Sequence, residues 1–102
     1  MSLHPAVIEL SENLLTVSGT LEWSVTARFD EECQRLVKSG AANPVVDLTG
    51  VQVITSPFLG ILSQAAVECM KKNTPLTLRV PAKLLNLFHT LHFEKFGNIE
   101  VA

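Results

Sequence analysis

Ser56, Asp47 and the histidines His4, His89 and His92 are the side chains of this 102-residue chain whose types could do chemistry. Ser56 stands where an extended run, Val51 to Ile54, gives way through Thr55-Ser56-Pro57 to a helical apolar pattern that starts at Phe58. Nucleophilic serines often occupy such strand-to-helix turns. The G-x-S-x-G pattern is missing, because Ile54 and Phe58 stand two positions either side of Ser56. None of the histidines has an obvious acidic orienter in the sequence, so a Ser-His-Asp hydrolase is not indicated. Asp47 closes a strand and could be catalytic. Its other reading is a turn former that accepts from nearby N–H groups around Thr49-Gly50.

His89 and His92 are three apart on an expected helix and could face one another, but two ligands without a third make a weak metal signal. Neither G-x-x-x-x-G-K nor G-x-G-x-x-G occurs, which removes the familiar phosphate-cradling loops. The cysteines, Cys33 and Cys69, form no C-x-x-C pair and no zinc spacing; each falls on the apolar stripe of an expected helix and reads as a buried structural thiol. No cofactor is called for by these residues.

Two readings of Ser56 remain open. As an N-cap, its oxygen would accept from a first-turn N–H, with Pro57 at the first helical position. As a phosphorylation site, it would carry a group of about −1.5 to −2 charge that the helix N-terminus tolerates, altering association more than structure.

The elements that must hold this turn can be read in order. Residues 6–10 and 14–17 are expected strands joined by the Ser11-Glu12-Asn13 turn, a hairpin that Ser18-Gly19 ends. Ser24 is the expected cap of a helix with Val25, Phe29, Cys33, Leu36 and Val37 on one side. Asp30, Glu31 and Glu32 precede Arg35 and Lys38, an order that suits the helix dipole, and Gly40 is the natural C-terminal cap. Val45 and Val46 open a strand; Asp47 to Gly50 is expected to turn, and Val51 to Ile54 to be a second extended piece. The following helix carries Phe58, Ile61, Leu62, Ala65, Ala66, Cys69 and Met70 on its stripe, and Pro75 blocks its continuation. Leu76 to Val80 is a strand; Pro81 opens a helix with Leu84, Leu85, Leu87, Phe88 and Leu91; Ile99 to Val101 is a short last strand. Strands and helices alternate from Ser24 onward, which predicts βα units with right-handed crossovers. The expected fold is a single α/β domain over residues 1–102, with a mixed sheet (an N-terminal hairpin plus mostly parallel strands) flanked by helices.

Composition bounds the function. Hydrophobic residues make up 47% of the chain and charged residues 18%, with a formal net charge of −2. Such a balance means either a well-filled core or an apolar surface that meets a partner. The bases are scattered, without the stripe of a nucleic-acid binder. No apolar run approaches the ~20 residues of a membrane span, and no signal-peptide pattern is present, so a cytoplasmic location is expected.

The run VVDLTGVQVITSPFLGIL resembles the signature of STAS domains, the family of bacterial anti-sigma factor antagonists. In that family a strand ending in D-L-[ST]-G leads to an acidic residue, a phosphorylatable serine, a small residue and a G-L-G-like helix start. Asp47, Leu48, Thr49 and Gly50 match the first part, Ser56 falls on the phosphorylatable serine, and Leu59 and Gly60 match the helix start. Ser18-Gly19-Thr20-Leu21 resembles the family's S-G-E-L segment, and Val80-Pro81 with the helix after it resembles the closing region. Thr55 stands in place of the acidic residue, and Phe58, after Pro57, in place of a glycine.

The resemblance implies a non-enzymatic switch in partner switching and transcription regulation. The unmodified form would bind a serine kinase of the anti-sigma type, phosphorylation of Ser56 would end the interaction, and a phosphatase would restore it. The implied docking surface comprises Thr55, Ser56, Pro57 and Phe58, with Glu22 and Trp23. Phe58 either enlarges that surface or points into the core. An alternative role within the family is a non-phosphorylated STAS subunit docked on a lipid-transport ATPase.

Overall fold

A computed structural model describes residues 5–101 of the chain. His4 lies outside the described residues. The sheet has five strands in the order β1-β2-β3-β4-β5: β1 Val7–Ser11, β2 Leu14–Leu21, β3 Val45–Ile54, β4 Thr77–Val80 and β5 Asn98–Val101. β1 and β2 form the expected antiparallel hairpin, with Ser11 paired to Leu14 across the turn. β2, β3, β4 and β5 are parallel. The sheet is therefore mixed, as its sequence pattern predicts.

Helices α1 Thr26–Lys38, α2 Ser56–Lys71 and α3 Ala82–Thr90 make the crossovers. Spatial order equals chain order, so right-handed crossovers put all of them on one side of the sheet. The alternating burial of β2 and β4 fits: Leu15, Val17, Leu21, Leu78 and Val80 face the helices and are buried. α1 supplies Phe29, Cys33, Leu36 and Val37 to that layer, and α2 supplies Phe58, Leu62, Ala65, Ala66 and Cys69. The other face is wet. There Arg79 on β4 lies 3.6 Å from Asp47 on β3 and 3.6 Å from Glu100 on β5, a charged ladder across three strands. The carbonyl of Ile8, on edge strand β1, accepts from Arg28 of α1 at 3.0 Å, which partly blunts that edge.

Several boundaries differ from the expected ones, each for a local reason. The expected turn at Asp47–Gly50 is part of one strand. β3 runs unbroken from Val45 to Ile54, and the pairing with β2 absorbs its extra residues in register shifts between Thr16 and Ser18 and between Gly19 and Thr20. β2 likewise does not end at Ser18-Gly19. It continues to Leu21, because Gly19 adopts φ 84°, open to glycine without strain.

Ser24 does not cap α1. It sits in a short 3-10 turn, Trp23–Val25, and Val25 holds the cap position. Asp30, Glu31 and Glu32 fall beyond the first turn of α1, and Glu31 and Glu32 pair with Arg35 instead of facing the helix terminus. Gly40, at φ 71°, follows the C-terminal end as expected. Met70 leaves the apolar stripe of α2 and is 44% exposed, and Leu91, beyond the end of α3, is also exposed. α3 stops at Thr90, and Phe93 returns to the core in a 3-10 turn, packed edge-on against Phe88 at 5.9 Å.

Candidate functional site

Parallel strands carry their functional groups beyond their carboxyl ends, where the crossovers begin. In this fold that edge holds Glu22–Val25 after β2, Thr55–Phe58 after β3 and Pro81–Lys83 after β4. The pairing of Leu21 with Ile54 puts the first two of these segments side by side.

Ser56 is the first residue of α2 and is exposed. It is not the N-cap. Thr55 holds that position in an extended conformation, and Pro57 falls one place further in than expected. Thr55 makes no side-chain capping bond either. Its hydroxyl turns away and donates to the Leu21 carbonyl at 3.3 Å, tying the end of β3 to the end of β2. The Phe58 amide donates to the Thr55 carbonyl at 3.1 Å, which tightens the first turn. Without a capping bond from Thr55, the positive end of α2 lies beside the exposed Ser56.

Of the residues expected to form the docking surface, Glu22, Trp23, Ser56 and Pro57 are exposed and Thr55 is half-buried. Trp23 is 81% exposed, the most of any large apolar side chain described. Ser24 donates to the Glu22 carboxylate at 3.1 Å. Phe58 does not belong to the surface. It is fully buried, with its ring edge-on to Phe29 at 5.1 Å. A helix stripe that starts at this residue must turn it towards the sheet, and the second of the two readings of Phe58 holds.

Three neighbours escape a reading of the linear sequence. Val53, near the end of β3, is 44% exposed. Lys83, in the first turn of α3, donates to the Gln52 carbonyl at 3.2 Å, and so places an ammonium on this edge. The Leu21 carbonyl anchors Thr55. Parallel topology gives the signal for Lys83, since every helix that follows a strand here starts on the same edge.

Asp47 acts as a turn former would, although inside a strand. Its Oδ1 accepts from the Thr49 amide at 2.9 Å and from the Thr49 hydroxyl at 2.7 Å, and its Oδ2 faces Arg79. One of the histidines does have an acidic orienter, contrary to expectation: His89 Nδ1 lies 3.1 Å from Glu94 Oε1. The carboxylate comes from the 3-10 turn after α3, a placement that helical spacing does not anticipate. A hydrogen bond to backbone, then that to His89, holds the Glu94 carboxyl below its usual range. The described residues contain no cluster of three or more groups that could hold a metal. Both cysteines are free and buried, and burial pushes the Cys33 thiol up to about 12.

No helix of the described residues is long and apolar enough to cross a membrane. Residues 6–99 match the family model described as "Mlab, STAS domain". A search of curated proteins finds no match. Among solved structures, the chain is similar to an anti-sigma factor antagonist from Mycobacterium paratuberculosis, with a TM-score of 0.77 at 19% identity. The likeness covers 97% of this chain and 86% of that one, and at this identity it is a likeness of fold.

Proposed function

The chain belongs to the STAS-domain family, and on that premise we propose that it is a regulatory binding module, not an enzyme, whose partner is selected by the state of Ser56. The unmodified domain docks a serine kinase of the anti-sigma type across Glu22, Trp23, Thr55, Ser56 and Pro57. Phosphoryl transfer from ATP to the Ser56 hydroxyl, with loss of its proton, ends that contact, and a phosphatase reverses it.

The observation that carries this reading is the exposure of Ser56 at the uncapped start of α2, beside the exposed Trp23. A phosphoryl group there brings about −1.5 to −2 charge next to a positive helix end, so the fold accepts it. A partner seated on the same edge meets its bulk and its charge. The switch therefore acts on association and leaves the domain folded.

The test is to mix the protein with such a kinase and ATP, map the phosphate, and measure binding of the Ser56→Asp variant. Phosphate on Ser56 and loss of binding by the variant are expected. Phosphate elsewhere, or a variant that binds as tightly as the parent, sinks the reading.

One observation favours a second role. Phe58 stands where the family has a glycine, and it locks the turn after Ser56 into the core. Pro57 stiffens the same turn and Thr55 replaces the family's acidic residue. A rigid, non-acidic turn suits a STAS subunit that docks permanently on a transporter ATPase and is never phosphorylated. A pull-down that returns a transport ATPase, with Ser56→Ala binding unchanged, would select this role.

A further inference from the structure

The two edges of the sheet are finished differently. Along β1, α1 packs against the strand and Arg28 occupies the outward Ile8 carbonyl. β5 is the other edge, and no described side chain bonds to its backbone. Its run Asn98-Ile99-Glu100-Val101 contains no proline or lysine, and its pairing with β4 has no bulge. Those are the usual devices that keep an edge strand from pairing. The register fixes which groups of β5 point outward. The Asn98 amide donates to the Leu76 carbonyl at 2.9 Å, and Asn98 and Glu100 pair with Thr77 and Arg79. Alternation therefore directs the N–H and C=O of Ile99 and Val101 away from the sheet. Ile99 is half-buried and Val101 is 51% exposed.

We propose that β5 pairs antiparallel with β5 of a second copy of this chain. The two-fold axis passes between the Ile99 residues, and the two sheets become one. A two-fold contact needs a self-complementary patch, and β5 is one in this register.

Complementarity selects both the occupant and the register. With the axis at Ile99, each Ile99 exchanges backbone hydrogen bonds with its counterpart. Glu100 then stands opposite Asn98 of the other copy, and the axis repeats the pair. The two share the wet face, because they alternate with Ile99 along the strand. A carboxylate that already faces Arg79 thus meets a side-chain amide able to donate to it. Val101 stands opposite Gly97, which has no side chain to crowd it. Moving the axis to Glu100 would set two carboxylates against each other, a destabilising pair.

The length of the strand sets the strength. β5 has 4 residues, so the contact stays below the roughly 1,200 Å² at which stable interfaces begin. The dimer is therefore weak and concentration-dependent. β4 separates β5 from β3, the strand that leads to Ser56. The proposal does not depend on phosphorylation of Ser56.

Sedimentation and amide hydrogen exchange of the full chain over a concentration series test it. A reversible monomer–dimer equilibrium is expected, with exchange at Ile99 and Val101 slowing as concentration rises. Asn98→Asp sets like charges opposite each other and should weaken the dimer roughly fivefold. Asn98→Lys sets opposite charges there and should tighten it by a similar factor. Val101→Pro, checked for folding by circular dichroism, removes an outward N–H without touching the bonds to β4. It should weaken the dimer roughly tenfold. A protein that is monomeric up to about 1 mM, which corresponds to negligible affinity, overturns the proposal. So do Asn98 variants that shift the affinity in the same direction, a dimer indifferent to Val101→Pro, or exchange at Ile99 that slows only when a foreign peptide is added.

Discussion

The ring of Phe58 meets that of Phe29 edge-on, with centroids 5.1 Å apart and planes at 62°. This contact joins the first turn of α2 to the first turn of α1, and so fixes the segment that presents Ser56. Edge-on aromatic pairs add about 0.5–1.5 kcal/mol beyond the area they bury.

Phe58→Ala should therefore cost about 3–5 kcal/mol, the range for a fully buried phenylalanine. Phe58→Gly, which also gives up helix propensity, should cost at least as much. Urea unfolding followed by circular dichroism measures both. A loss below about 1 kcal/mol would show that the site relaxes and that Phe58 does not anchor the turn.

Gly50 approaches β2 so closely that an added Cβ would lie 2.8 Å from the Cβ of Ser18. Gly50→Ala should destabilise the protein by about 1–3 kcal/mol, the usual cost of overpacking. Ser18→Gly should recover part of that loss in the double variant, although it is unfavourable alone. A double-mutant cycle with no coupling would contradict the contact.

Thr55→Val keeps the shape of the side chain and removes its bond to the Leu21 carbonyl. A loss of about 1 kcal/mol is expected, together with faster hydrogen exchange at the start of α2. Unchanged exchange at the Ser56 amide would mean that Thr55 does not position it.

Cys33 predicts an alkaline limit to stability. Burial, then the nearby Asp30 carboxylate, raises its thiol from 9.0 to about 12. A raised folded pKa favours the native state's protonated thiol. Its contribution is fully present below pH 9.0 and is lost as pH rises through about 12, because the unfolded chain ionises first. Stability should fall by roughly 1 kcal/mol per pH unit across that window, and Cys33→Ala should flatten the slope. An identical slope in parent and variant would assign the limit to another group.

Much of this fold is legible in the linear chain because its signals are local. The stripe from Phe29 to Val37, the hairpin turn and Gly40 each announce an element through residues a few places apart. What escapes is decided across strands. Asp47-Leu48-Thr49-Gly50 carries every mark of a turn, and Asp47 does bond Thr49 as in a turn, yet parallel pairing with β2 keeps the segment extended. Ser56 is placed to within one residue of its observed helical position. The capping expectation fails because Thr55 comes first and finds its acceptor on β2. Glu94 reaches His89 only because His92 adopts φ 56°, which no helical periodicity foretells.

With helices on one side of the sheet only, the domain has a single apolar slab, and its buried hydrophobic residues form one cluster from Ile8 to Phe93. No second layer exists among the described residues to hold part of the molecule together while the rest opens. Melting should then be all-or-none, and whatever settles on the strand ends would raise the midpoint of the whole transition.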